Sequence, residues 1–112
     1  MNESLSLQEG EKLSVTYRVE PGCLGPEGIN HIAKFCDFSQ VQLQALDADY
    51  VIWNIVPRTD KSLPEMDYCV VGKKISFSQA EKYLALLDQS LEDFEGRLSD
   101  RLASLIDEFM GY

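Results

Sequence analysis

From Ala80 to Phe109 an apolar residue recurs every three or four positions: Ala80, Leu84, Leu87, Leu91, Phe94, Leu98, Leu102, Leu105 and Phe109. An α-helix turns once in about 3.6 residues, so this spacing gathers the whole set on one face. The series runs as heptads until Phe94, Leu98 and Leu102, where two successive four-residue steps make a stutter with Gly96 inside it. Ser78-Gln79-Ala80-Glu81 reads as a capping box that would start the helix. A straight helix over residues 78–109 would be roughly 48 Å long at 1.5 Å per residue. A compact chain of this size has a diameter of only roughly 34 Å. The helix must therefore break, with Gly96 the expected place, or project beyond its own domain. In the second case Leu98, Leu102, Leu105 and Phe109 form an interface that needs covering, by a second copy in a homodimer or by another protein.

The rest of the chain supplies a sheet. Leu13, Val15, Tyr17 and Val19 alternate with polar residues, the period of a half-buried strand. Two prolines and two glycines within Pro21–Pro26 end it. Pro26 suits the first position of a helix over about 26–38, with Ile29, Ile32, Ala33 and Cys36 on one face. Residues 41–46 fit either a strand or more helix. Tyr50–Val56 is dense in β-branched and aromatic residues and reads as a central strand buried on both faces. Pro57 stops it, residues 58–65 form a loop, and Met66–Val71 is a further strand expected to pair with residues 50–56 as a hairpin; Gly72 marks its end or a bulge. Residues 1–12 read as a loosely ordered arm. The expected fold is a single α+β domain over residues 1–112: a three- or four-stranded antiparallel or mixed sheet packed by a short helix and a long C-terminal helix.

Nineteen acids against ten bases give a net charge of -9. That balance disfavours direct nucleic-acid binding and polybasic membrane attachment, both of which need Lys and Arg against phosphate. No apolar run approaches the ~18–20 residues that span a bilayer, and the acidic start lacks a secretory pattern. Cys23, Cys36 and Cys69 are an odd, widely spaced set. Together these features read as a cytoplasmic protein without a disulfide framework. The charge is unevenly placed: residues 78–112 hold eight acids and three bases, whereas residues 57–75 hold four bases and three acids.

Candidate chemistry is sparse. Cys23, in a Gly/Pro loop before a helix, could be activated by the helix dipole with His31 as a base, although the two are not neighbours in local geometry. Cys23, His31, Cys36 and Cys69 have ligand types for zinc but no ligand spacing, so no metal and no cofactor is expected. Gly22–Gly28 lacks the spacing of a phosphate loop. Arg58 and Lys61 could hold an anionic ligand. Asp88, Glu92, Asp93, Glu95 and Asp100 could face a basic partner. No constellation assigns a reaction. The chain reads as a small acidic interaction or regulatory protein, self-associating through its C-terminal helix. The alternative is a small-molecule binder or thiol-dependent enzyme built on the Cys23 loop and the Arg58–Lys61 loop.

Overall fold

In the computed structural model, residues 12–111 are described; the arm expected over 1–12 lies, apart from Lys12, outside them. Alternation along β1, Leu13–Val19, buries Leu13, Val15 and Val19 on one face. β1 is central. It pairs in parallel with β2, Val51–Pro57, setting Val15 opposite Trp53, and antiparallel with β3, Met66–Val70, setting Val15 opposite Tyr68. β4, Lys73–Ile75, pairs with β3 and completes the order β2-β1-β3-β4. The result is an α+β domain with a mixed four-stranded sheet, the class expected from the order of elements.

Two expectations about the strands are corrected. β2 is an edge strand, and only Val51, Trp53 and Ile55 are buried while Asn54 is exposed. The helix between β1 and β2 returns the chain parallel to β1, so β2 and β3 flank β1 and never pair with each other. The hairpin instead joins β3 to β4 through Val71 and Gly72, with φ of 52° and 74°. Two positive values in a two-residue loop are the signature of a type I′ turn.

Helix α1, Gly28–Leu43, starts two residues after Pro26 and carries on through the ambiguous segment to Leu43. Pro21 instead opens one turn of 3-10 helix, Pro21–Leu24. Gly28 packs so closely on that turn that a Cβ there would lie 1.8 Å from the Pro21 carbonyl oxygen. The Gln40 side chain reaches the outer edge of β2, donating to the Trp53 carbonyl and accepting from the Ile55 N–H, both at 2.8 Å. A single amide thus satisfies two strand-edge groups that would otherwise be open to pairing.

The C-terminal stripe is split, but not at Gly96. Helix α2, Phe77–Ala85, and helix α3, Leu91–Met110, are separated by residues 86–90. Gln89 N–H donates to Leu84 C=O and Asp88 N–H to Ala85 C=O, with Asp88 at φ 60°. These are the bonds of a Schellman turn. Ser90 then caps α3 by accepting from Asp93 N–H, with Glu92 and Asp93 in the first turn. The capping box of α2 is Ser76 with Gln79, two residues earlier than expected. Gly96 is simply an exposed helical residue, where the helix backbone continues without a cap.

The break shortens the longest helix to about 30 Å at 1.5 Å per residue, a length its own domain can cover. Phe94 stacks on Trp53 with ring centroids 5.5 Å apart and planes 7° apart. Phe109 sits edge-on to Phe35 at 5.4 Å. Arg97 donates to Asp47 Oδ2 and to the Tyr50 hydroxyl, each at 3.0 Å, fastening α3 to the connection between α1 and β2.

Two substitutions test these local constraints. Gly28→Ala should lower stability by about 2–4 kcal/mol, because a backbone atom blocks the methyl group; urea unfolding measures it. Val71→Asn should raise stability by about 1 kcal/mol, since a β-branched residue is disfavoured at positive φ and Asn-Gly suits the turn. Thermal melting should show a gain of roughly 5 °C.

Candidate functional site

Helical cover over the sheet is uneven. The 16-residue α1 packs on the β2 side, while the β3–β4 side has only the nine-residue α2 and part of α3. An open cleft of about 570 Å³ remains there, bounded by the start of β3, the end of β4, the start of α2 and the middle of α3. Tyr17, Met66, Tyr68, Phe77, Leu98 and Leu102 give it apolar walls. The Tyr68 hydroxyl donates to Glu95 Oε2 at 2.9 Å, and the Tyr68 ring leans on Phe77 with centroids 5.6 Å apart.

Four charged residues border the cleft, Glu65, Asp67, Lys74 and Glu95; alternation puts the Asp67 and Lys74 side chains on the sheet face that Cys69 shares, so they meet the cleft along its strand edge. Asp67 is matched, with Arg18 at 2.7 Å and Lys74 at 3.2 Å. Burial works to raise its pKa, but hydrogen bonds and charge from Arg18 and Lys74 outweigh it and hold the carboxyl below its ordinary value. Among the described residues Glu65 and Glu95 have no ion pair, and Glu95 is the acid that the Tyr68 hydroxyl holds at the cleft. Burial, followed by the charges of Glu65 and Cys23, pushes Tyr17 up to about 12. Burial and Glu95 also push Tyr68 well above its ordinary value.

The residues singled out from the sequence do not converge here. Cys23 is exposed in the 3-10 turn and His31 is half-buried on α1; neither lines this cleft. Cys36 is buried in the core, where burial and then Asp37 push its thiol up to about 11. Cys69 alternates with Tyr68 along β3 and so points to the opposite sheet face from the core. Among the described residues no group of His, Cys, Asp and Glu is gathered as a metal would require.

Arg58 and Lys61 are engaged inside their own loop. Arg58 Nη2 donates to the carbonyls of Leu63 at 3.2 Å and Lys61 at 3.5 Å, and Lys61 pairs with Glu20 at 3.1 Å. Arg18 also donates to the Pro64 carbonyl at 2.8 Å. Arg58 therefore braces the connection between β2 and β3 through its Nη2 while its buried Nε has no partner among the described residues, and Lys61 ties the loop to Glu20.

Leu98, Leu102 and Leu105 are 2%, 7% and 0% exposed within this one chain, and Phe109 packs on Phe35 and Phe38. The four residues expected as an interface thus belong to the chain's own core, because the break at 86–90 lets α3 lie on the sheet. Leu98 and Leu102 reach the cleft as part of its apolar wall on α3.

The cleft combines residues far apart in sequence. Glu95 stood among the acids expected to face a basic partner, but nothing in the spacing of Tyr17, Met66 and Tyr68 marks them as neighbours of it. Strand alternation does place Tyr17, Met66 and Tyr68 on one face, and that face is the available signal.

The two tyrosines make stability fall in alkali. A tyrosine whose folded pKa exceeds its unfolded value of about 10 contributes fully below pH 10 and loses that contribution as pH rises through the folded value. Stability should therefore drop between pH 10 and 12. Tyr17→Phe should flatten that slope, as measured by urea unfolding at a series of pH values. Asp67 has the opposite sign: its contribution is present above about pH 4 and lost as pH falls below it, and Asp67→Asn should remove that part of the acid sensitivity.

No helix among the described residues is long and apolar enough to cross a membrane. No protein-family model, curated protein or solved structure matches the chain.

Proposed function

We propose that the protein is an interaction module that docks a partner in the cleft between the start of β3 and α3. The observation that carries this reading is the cleft itself: about 570 Å³ of open space with mixed apolar and polar walls over core side chains, on a domain whose α3 leucines are otherwise buried. An uncovered apolar concavity rimmed by polar groups is the usual form of a binding site. The α3 leucines pack within the chain itself, which favours the cleft over α3 as the docking surface. The thiol-based alternative draws no support from the cleft, which neither Cys23 nor His31 lines.

Amide chemical-shift mapping with a general fragment library tests the reading. Perturbations should cluster on Tyr17, Met66, Tyr68, Phe77, Glu95 and Ser99. Ser99→Trp, an exposed position on the cleft wall, should fill the space and abolish them without lowering the melting temperature. Hits gathered around Cys23 and Arg58, or no hits at all, would overturn it.

A further inference from the structure

We propose that the occupant of this cleft is an extended peptide segment that adds to the free edge of β3 at Met66 and places a Lys or Arg side chain against Glu95. The inference rests on the docking role just proposed and names its partner. Three independent features point the same way.

The first is backbone pairing. Arg18 N–H donates to the Glu65 carbonyl at 2.8 Å, so Arg18 and Glu65 form a hydrogen-bonded pair of the β1–β3 ladder. Alternation in an antiparallel ladder makes the next pair, Tyr17 with Met66, a non-hydrogen-bonded one. The Met66 N–H and C=O therefore point away from β1, toward the side on which β4 runs. β4 stops short of them: its pairing ends at Ile75 opposite Tyr68, because Ser76 caps α2 and the chain turns away. The place a partner residue would occupy opposite Met66 is the cleft. Unpaired strand groups at the rim of a groove are what strand addition uses.

The second is side-chain direction. A residue added opposite Met66 shares its sheet face, and along β3 that is also the face of Tyr68. Its side chain would enter the cleft between Tyr68, Phe77 and α3. The third is charge. Arg18 and Lys74 pair with Asp67 on the opposite sheet face, leaving Glu95, which accepts from Tyr68, as the acid that faces the added side chain without a cation of its own among the described residues. A Lys or Arg side chain suits both chemistries there, an apolar stem along Leu98 and Leu102 and a cationic head at Glu95 beside aromatic faces. An acidic or purely apolar side chain would leave Glu95 desolvated without a counter-charge.

Selection from a displayed library of random heptapeptides, followed by backbone N-methylation of the best binder at each position in turn, tests the proposal. Lys or Arg should be enriched at one position, with Asp and Glu depleted there, and N-methylation at the residue opposite Met66 should weaken binding about tenfold. Glu95→Gln keeps an oxygen to accept from Tyr68, so the fold is retained, and should also cost about tenfold in affinity, the loss of one charge-assisted bond. Glu65→Gln should cost less. Selected peptides without a basic position, tolerance of every N-methyl group, or undiminished binding to Glu95→Gln would overturn the proposal. So would butylamine binding as tightly as the best peptide, which would point to a small cation instead. If fragments perturb the cleft while no peptide is selected, the peptide inference fails and the docking site stands. If neither binds, both fail.

Discussion

Stacking of Phe94 on Trp53 decides where α3 lies. The rings are 5.5 Å apart and close to parallel, which draws the start of the helix toward the β2 side, and Arg97 holds it there through Asp47 and Tyr50. The neighbouring Glu95 then faces the other way, toward Tyr68 on β3. One helix thus crosses above β1 and must serve both sides of the sheet. α1 supplements it on the β2 side. On the β3 side the supplement is the much shorter α2, and the cleft is the area that this shortfall leaves uncovered.

Much of the architecture was legible from local patterns. Alternation at Leu13–Val19 and the turn residues after it defined β1, and the apolar stripe defined the C-terminal helices. What escaped was decided by pairing between distant segments. Tyr50–Val56 is apolar enough for a central strand, yet the crossover through α1 puts it at the edge, where Ile52 and Val56 remain partly accessible. The helix break escaped for a different reason. Glycine at position 96 looked like the weak point, but a helix tolerates one exposed glycine at a cost of about 1 kcal/mol. A Schellman turn at Asp88 followed by the Ser90 cap makes a more favourable stop.

The candidate site was the least legible part. Sequence reasoning favours residues whose chemistry is conspicuous in isolation, such as Cys23, His31, Arg58 and Lys61. In the folded chain Arg58 bonds carbonyls of its own loop, Lys61 pairs with Glu20, and neither Cys23 nor His31 lines the cleft. The cleft is assembled from Tyr17, Met66, Tyr68 and Glu95, residues that are unremarkable until the β1–β3 register and the crossing of α3 bring them together. Length arithmetic still identified the right problem, since something had to cover the apolar side of a helix that long. The break resolved it within the chain.

Unequal edges have a consequence for assembly. At β2, the Gln40 amide occupies the Trp53 carbonyl and the Ile55 N–H, the Asp47 carbonyl accepts from the Val51 N–H at 2.9 Å, and Pro57 has no N–H to offer. At the other side, β4 is three residues long and carries Lys73 and Lys74. Among the described residues, the β2 edge is thus partly blocked and the β4 edge short and charged, so neither offers a long open run for strand pairing. Growth of an open-ended stack needs two complementary edges on every unit, and the two edges of the described sheet are poor templates for it.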